Sequence, residues 1–357
     1  MCETQNTETD PIAWIRHLIT LPGPPGEEKA VRDWLATQVR SLGYHPEVDA
    51  KGNLLVTLPA RGRGEQPHPR VLVTAHMDEI AMMVVKREAE KLRVDAVGGA
   101  HTWKWGEGPV VILTNAGPLP GVLSYGCVHT RDASSVAEHA RQFVLNWERA
   151  YVFTGKSAEE LEAAGVRPGL RVVLAPERRT LTEFGAFIAG HFLDDRADLA
   201  VWLLALQALQ EGAQDLPEIT FAATCSEEVG GEGARYLLRA RPADICIALE
   251  IGPRTPEADF PVDPQPTIWV RDEYAAMESV DGMLLEACCG ELGLKPHWQY
   301  LSRGGSDASC AAALGLVARP VTLGMPVENS HGYEILHRDA PHCLARLLLA
   351  YLRRLRG

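Results

Sequence analysis

The sequence lacks the features of a membrane protein, a secreted protein or a disulfide-stabilised protein. No apolar run in the 357 residues approaches the roughly 20 residues that a membrane-spanning helix requires. The segment MCETQNTETDPIAW has neither the basic nor the apolar region of a secretory signal. None of the eight cysteines forms a C-x-x-C pair, and most lie in apolar stretches, which predicts buried, reduced thiols. We therefore expect a cytoplasmic protein without a structural zinc site or a disulfide framework.

Positive charge is also scarce. The chain has 35 basic and 47 acidic residues, which gives a formal net charge of −12 at pH 7. This excess of acid disfavours a nucleic-acid backbone and an anionic membrane surface as partners. Hydrophobic residues make up 46% of the chain and charged residues 23%, as is typical of a soluble globular protein with a substantial core.

The chain has two kinds of secondary-structure pattern. In residues 1–84 and 188–357, buried strands such as VLVTAH and DICIALEI alternate with helical stretches such as ADLAVWLLALQAL. This alternation predicts an α/β domain with a mostly parallel, helix-covered sheet. Between them, residues 85–187 contain short β-like segments punctuated by glycine, which predicts an inserted small β-rich domain.

One strand places two polar side chains at its end. The run VLVTAHMDEI, residues 71–80, is apolar up to His76 and Asp78. Side chains two residues apart on a strand point to the same face. The C-terminal edge of an open α/β sheet is also where ligands bind. His76 alone could equally be a structural histidine with satisfied hydrogen bonds.

Further acids and an imidazole follow other predicted strands. Packed together, several carboxylates could not all stay ionised without a counter-charge. Divalent cations provide that charge, and histidine with carboxylate ligands suits zinc, cobalt or manganese better than calcium. Two such ions about 3.5–4 Å apart form the clamp of dinuclear hydrolases. The residues are Asp194 with Asp195, Glu227 with Glu228, Glu250, and His331.

Each segment taken alone has a structural alternative. LDDR could be a helix N-cap, because aspartate is favoured there. SEEVGG could be a solvated loop, and His331 a loop residue. Glu250 is harder to explain in this way, because DICIALEI is otherwise apolar and an unpaired buried carboxylate is costly. The metal-site hypothesis therefore depends on the combination.

The order of these motifs resembles one enzyme family. AHMDE, FLDDR, SEEVGG, a strand ending in an acid, GGSDA and P-x-x-x-x-H follow one another along the chain. This order is similar to that of the dinuclear metallo-aminopeptidases that include the glutamyl and deblocking aminopeptidases and the tetrahedral (TET) assemblies, some of them labelled endoglucanases. GPPGEEKAVRDWL resembles the family's N-terminal helix, and VGG, GVLSYG and SAEELEAAGVRPG resemble its inserted PDZ-like domain. The resemblance implies a zinc-peptidase-like catalytic domain, and an insertion that serves oligomerisation or substrate access.

The resemblance also implies a role for each site residue and two divalent ions per subunit, with zinc or cobalt favoured and manganese an alternative. His76 and Glu250 would hold one metal, Glu228 and His331 the other, and Asp194 would bridge them. Asp78 would orient His76, and Glu227 would be the general base that takes a proton from a bridging metal-bound water. Arg303 and Asp307 of SRGGSDA would line the substrate pocket.

Two departures from the family pattern stand out. Glu250 stands where the family usually has aspartate. The segment 127–150 does not match well, and it falls in the domain through which the family forms homo-oligomers such as dodecamers. His101 and His129, in the same insertion, are interpreted as structural or surface residues.

The expected function is that of an aminopeptidase acting on peptides with a free α-amine. One alternative is a related dinuclear amidohydrolase, either a deacylase or a dipeptidase. Another is a non-catalytic assembly protein that retains the metals. Polysaccharide cleavage is disfavoured, because glycosidases use two carboxylates around a sugar groove without a dinuclear centre.

Overall fold

The computed structural model describes residues 10–61, 68–210 and 216–355. The helices in these ranges are α1 (Pro11–Leu18), α2 (Lys29–Ser41), α3 (Thr102–Trp105), α4 (Val136–Ala140), α5 (Ala158–Ala163), α6 (Leu193–Gln210), α7 (Glu232–Ala240), α8 (Ser279–Leu292), α9 (Asp307–Ala312) and α10 (Ala340–Arg354). The strands are β1 (Glu47–Val48), β2 (Leu54–Leu58), β3 (Arg70–His76), β4 (Ala81–Glu88), β5 (Lys91–Val97), β6 (Gly108–Thr114), β7 (Gly117–Ser124), β8 (Tyr151–Phe153), β9 (Arg171–Leu174), β10 (Thr182–Phe184), β11 (Phe187–Gly190), β12 (Glu218–Thr224), β13 (Ile245–Pro253), β14 (Thr267–Arg271), β15 (His297–Tyr300), β16 (Arg319–Glu328) and β17 (Glu334–His337).

Eleven strands form one large sheet in the order β1-β2-β12-β3-β13-β16-β17-β11-β10, with β14 and β15 attached through β16. The central strands β12, β3, β13 and β16 are parallel. The flanking pairs β1–β2, β10–β11 and β16–β17 are antiparallel. The α/β class is thus confirmed, but the sheet is mixed. The mostly parallel arrangement holds only at its centre, because the flanking strands are joined by short hairpin connections that permit antiparallel pairing.

The sheet is covered by helices on both faces. Alternate residues along β3 point to opposite sides, so Val71, Val73 and Ala75 join the large core while Leu72 joins a smaller one. The large core also receives the apolar faces of α1, α2, α6, α8 and α10. The smaller core receives those of α7 and α9. Parallel strands buried on both faces explain why their sequences are almost continuously apolar.

The remaining strands close into a six-stranded barrel in the order β4-β5-β8-β7-β6-β9. Its interior is a separate core that includes Met82, Leu92, Ile112 and Val172. The barrel strands begin at Ala81, directly after the loop that follows β3. A small β-rich part is therefore present where the glycine-punctuated sequence predicted one.

Two further expectations concern cysteines and membrane spans. The cysteines in the described residues are free thiols, and all are buried or half-buried except the exposed Cys127. Among the helices of the described residues, none is long and apolar enough to cross a membrane.

Candidate metal centre

The parallel strands bring the polar segments to one edge of the sheet. His76 ends β3 and lies in register with Thr224, the last residue of β12. The loop after β12 carries Glu227 and Glu228. Strand β13, on the other side of β3, carries Glu250. These segments meet because neighbouring parallel strands end on the same side of a sheet.

A first group of ligand atoms surrounds His76. Its Nε2 lies 3.0 Å from Asp194 Oδ1 and 3.7 Å from Glu250 Oε1. The side chains of His76, Asp194 and Glu250 are only 2%, 9% and 7% exposed. Asp195 also places a carboxylate oxygen among these atoms, all of which lie within 4.8 Å of one another. One imidazole and several carboxylates thus converge in a buried space.

A second group shares Asp194 with the first. His331 Nε2 lies 3.5 Å from Asp194 Oδ2 and 3.8 Å from Glu228 Oε2. One oxygen of Asp194 therefore faces His76 and the other faces His331. This is the placement that a carboxylate bridging two cations requires.

Asp78 connects the histidine strand to the glutamate loop. Its fully buried carboxylate accepts hydrogen bonds from the backbone N–H groups of Glu227, at 2.9 Å, and Glu228, at 3.0 Å. Asp78 Oδ1 also lies 3.6 Å from His76 Nδ1. Ser226, at the start of the loop, has a φ of 56°, which is uncommon for a non-glycine residue and fits a backbone constrained at a functional site. Asp78 thus fixes the loop and the imidazole together.

Burial is the largest influence on the pKa values of the acids at the site. It raises the pKa of Glu250 well above its ordinary value, and the nearby charge of Asp194 adds to this increase. Burial likewise raises the pKa of Glu228 to about 7, although His331 opposes the shift. For Asp194, burial would raise the pKa, but the imidazoles of His331 and His76 outweigh it and lower the pKa.

These side chains fit a pair of divalent cations. The two groups contain two imidazoles and several carboxylates without a thiolate, a donor set suited to zinc, cobalt or manganese. The buried Oδ1 of Asp195 has no hydrogen-bond partner among the described residues. Buried carboxylates with raised pKa values gain from a nearby positive charge. The side chain of Glu250 is longer than the aspartate that the family usually has at this position, and its Oε1 still reaches the first group of ligand atoms. Its Oε2 accepts a hydrogen bond from the N–H of Ile251 at 2.9 Å.

Sequence reasoning missed Glu334. Its fully buried carboxylate accepts from the N–H of Asp194 at 3.1 Å and from the N–H of His331 at 2.9 Å. The signal was present in PVENSHGYE, where an acid precedes the apolar strand residues Ile335 and Leu336. Asp195 was noted only beside Asp194, yet its Oδ2 accepts from the N–H of His76 at 2.7 Å.

The two residues predicted to line the substrate pocket lie in different environments. Arg303 is exposed in the loop before α9. Asp307 is only 2% exposed and accepts a hydrogen bond from Thr224 Oγ1 at 2.6 Å. Burial raises the pKa of Asp307 to about 6. Their part in substrate binding stays a prediction.

His101 and His129, which are interpreted from the sequence as structural or surface residues, both lie at the surface. His101 is exposed and its ring stacks on Trp103, with centroids 5.9 Å apart. His129 is also exposed, and its Nδ1 lies 3.4 Å from Cys127 Sγ.

The chain resembles known aminopeptidases in sequence and in fold. The family model of the M42 glutamyl aminopeptidases matches residues 52–347. Lysyl aminopeptidase of Pyrococcus furiosus is 28% identical over 240 residues, which cover 66% of this chain and 65% of the relative. Glutamyl aminopeptidase of Lactococcus lactis is 24% identical over 339 residues, 90% of each chain. The solved structure of Pyrococcus horikoshii TET1 peptidase shares the fold with a TM-score of 0.81 at 24% identity, covering 97% of this chain and 100% of that one.

Proposed function

The chain belongs to the M42 glutamyl aminopeptidase family, and from this premise we propose that it is a metal-dependent aminopeptidase that removes the N-terminal residue of peptides. The observation that carries the proposal is the position of Asp194, with one oxygen toward His76 and the other toward His331. A carboxylate so placed, with a second acid beside each histidine, suits a dinuclear hydrolase.

The ligand assignment is part of this proposal. His76 and Glu250 would hold one cation, Glu228 and His331 the other, and Asp194 would bridge them. When bound, such cations supply Lewis acidity that activates a water and polarises the scissile carbonyl. Zinc or cobalt fits these ligands well, with manganese as the alternative.

Glu227 is the proposed general base. It lies in the loop fixed by Asp78, next to Glu228, and is half-buried. Burial raises the pKa of Glu227 well above its ordinary value, although the charge of His76 opposes the shift. A raised pKa makes a carboxylate a stronger proton acceptor. Glu227 would therefore take a proton at its carboxylate and pass it to the leaving amine.

The substitution Glu227→Gln tests this role. We expect the variant to keep its metal content and to lose at least about 10²-fold in kcat for an aminoacyl substrate, since general-base catalysis contributes on this scale. Metal analysis and peptide hydrolysis are measured on the same preparation. Glu232→Gln makes the same change at the exposed start of α7 and should leave both values unchanged. Unchanged turnover in the Glu227 variant would remove that residue from the mechanism.

A second measurement tests the class of substrate. An aminopeptidase binds the free α-amine, so an N-acetylated peptide should be cleaved far more slowly than the same peptide with a free N-terminus. Preference for the acetylated form would favour a deacylase. Absence of hydrolysis with both ions bound would favour a non-catalytic metal-retaining protein.

The two curated relatives are named for lysyl and glutamyl substrates of opposite charge, so their names give no basis for a side-chain preference here.

We further propose the domain division and a homo-oligomeric state. The sequence assigns residues 1–84 and 188–357 to the catalytic domain and residues 85–187 to a PDZ-like insertion for oligomerisation or substrate access. The barrel strands themselves run from Ala81 to Leu174, and β10 (Thr182–Phe184) pairs in the large sheet. The TET1 peptidase of Pyrococcus horikoshii can assemble into a tetrahedron or a large octahedral shell. Light scattering should therefore give a mass that is a multiple of 39.0 kDa, with a dodecamer as one candidate. A mass of one chain would contradict the assembly but not the peptidase activity.

A further inference from the structure

The second histidine of the centre is held by the barrel. His331 Nδ1 lies 3.1 Å from the backbone oxygen of Gly99, in the segment between β5 and α3. Its other nitrogen, Nε2, faces Asp194 and Glu228. When Nδ1 donates its proton to a carbonyl, Nε2 keeps the lone pair that a cation requires. The Gly99 carbonyl is thus placed to fix both the tautomer and the direction of the imidazole.

The approach of this segment depends on two glycines. A Cβ at Gly99 would lie 2.4 Å from His331 Nδ1 and 2.5 Å from Cε1, so any side chain would displace the ring. Gly98 has a φ of +74°, and a Cβ there would lie 3.1 Å from the Cβ of Glu228. The Gly98–Gly99 turn therefore lies directly against His331 and Glu228, two of the three residues that the second cation would use.

Other contacts hold the barrel at this position. Lys104 in α3 donates a hydrogen bond to Asn329 Oδ1, two residues before His331. His331 itself has a φ of 59° and Asn329 a φ of 64°, so this loop has an uncommon backbone conformation that external contacts must maintain. Phe192, two residues before Asp194, belongs to the hydrophobic core of the barrel. The barrel thus contacts both sides of the second group.

The first group differs in this respect. His76 contacts Asp78 in the loop after β3, Asp194 at the start of α6 and Glu250 in β13, all of them in the α/β part. The ring of His331, by contrast, has the barrel backbone as the partner of its Nδ1.

We propose that the barrel is a structural part of the metal centre: the Gly98–Gly99 turn positions His331, so that the second cation site forms only when the barrel is docked against the catalytic domain. This proposal rests on the dinuclear function proposed above. It assigns Gly99 as a positioning residue, because its carbonyl acts through His331. It also makes occupancy of the second site dependent on the position of the inserted domain.

Metal titration of the full chain tests the proposal. Calorimetry with zinc, and the visible absorption spectrum with cobalt, should show two binding events for the wild-type chain. Gly99→Ala should weaken the second event by about 10–100-fold, the usual effect of losing a group that orients a ligand, and leave the first unchanged. Equal affinities for both ions in the variant and in the wild type would overturn the proposal.

Gly121→Ala is the matched control. A Cβ at Gly121 would lie 2.5 Å from Val152 Cγ1, which is a clash of similar severity inside the barrel. If Gly121→Ala weakened the second event as much as Gly99→Ala, the effect would come from barrel stability and not from the contact with His331, and the role assigned to the Gly98–Gly99 turn would fail. Lys104→Met keeps the test available if Gly99→Ala does not fold. It should weaken the second event several-fold by removing the contact with Asn329.

Hydrogen exchange provides a readout independent of affinity and activity. The amides of Lys104 and Trp105 donate to the oxygen of His101 within α3. Their exchange should slow when the second equivalent of zinc binds and not when the first does. No change at the second equivalent would contradict the coupling. A wild-type chain that binds only one ion would instead overturn the dinuclear function itself, so the two failures are distinguishable.

Discussion

Glu334 illustrates how a single buried carboxylate can fix two separate segments of chain. Its two oxygens accept from the N–H groups of Asp194 and His331, which lie 137 positions apart in the numbering. It starts β17 and pairs with Gly190 of β11, so its backbone is also held in the sheet. Asp194 and His331 therefore depend on the same side chain for the direction of their backbones.

The substitution Glu334→Gln should weaken both stability and metal binding. Glutamine offers a single acceptor oxygen, so one of the two N–H groups loses its partner in a buried place. Such a loss costs about 1–3 kcal/mol in the free energy of unfolding. We expect a corresponding drop in denaturant-derived stability and weaker binding of the second cation. Glu328→Gln, at an exposed ion pair with Arg254, should change neither, and equal effects in the two variants would refute the role of Glu334.

His191 should give a pH dependence with a defined sign. Its Nδ1 lies 2.9 Å from the oxygen of Gly332, and burial, assisted by the charge of Arg178, lowers its pKa to about 4. Above pH 6.5 the imidazole is neutral in both the folded and the unfolded chain. Between pH 6.5 and 4 the unfolded chain binds a proton that the folded chain does not, so stability falls as the pH falls.

Comparison with His191→Asn isolates this contribution. Asparagine keeps a donor for the oxygen of Gly332 but does not titrate. Relative to the variant, the wild-type chain should lose roughly 2–3 kcal/mol of unfolding free energy between pH 7.5 and pH 4.5. Chemical denaturation of both proteins across this range measures the difference. Parallel stability curves would show that His191 is not a buried neutral group.

At the scale of the elements, a buried ion triad joins three segments behind the metal centre. Glu79, next to Asp78, lies 2.6 Å from Arg179, which follows the barrel, and 2.9 Å from Arg196 at the start of α6. All three side chains are at most 1% exposed. Arg179 also donates to the backbone oxygens of Ile19, at 2.9 Å, and Leu21, at 2.7 Å. The triad thus connects the loop after β3 to α6 and to the end of α1.

Glu79→Gln should be strongly destabilising. Removal of its charge leaves two buried guanidinium groups without their shared anion, and breaking a buried ion pair costs about 3–5 kcal/mol. The denaturant midpoint should fall accordingly. The exposed pair of Arg16 with Glu183 provides the contrast, since Glu183→Gln should cost at most about 1 kcal/mol. A small effect at Glu79 would mean that the arginines find other partners.

The same elements show what sequence can predict. Polar residues after predicted strands marked the candidates, the family resemblance selected His76, Asp194, Glu228, Glu250 and His331 from them, and the structure brings these side chains together. The local pattern is informative there because the ends of parallel strands share an edge. The antiparallel flanks and the Gly99 contact were not predictable in this way. Gly99 and His331 lie 232 positions apart, and a backbone oxygen leaves no residue-specific signal.

At the scale of the whole molecule, the candidate metal centre lies where two hydrophobic cores meet. Ile80 and Phe192, which flank the ligand segments, pack in the barrel core. Leu193, next to Phe192, and Met77, next to His76, pack in the large core of the α/β part. A cation bound at the centre would therefore connect segments that belong to both cores, and its removal should affect the whole chain.

Metal removal should lower the thermal stability of the entire protein. Without cations, Asp194, Glu228 and Glu250 leave several acids buried together, and protonation of some of them is the alternative to a counter-charge. A cation that binds only the folded chain stabilises it by about 2.7 kcal/mol at 100 times its Kd. Scanning calorimetry should show a Tm several degrees lower after chelation, with recovery on addition of zinc, cobalt or manganese. Asp194→Asn removes the charge of the shared ligand, so its Tm should respond much less to the same ions. The variant lacks the negative charge that the two groups of ligand atoms share. If its Tm nevertheless responded to the ions as strongly as that of the wild-type chain, the stabilising ions would have to bind elsewhere.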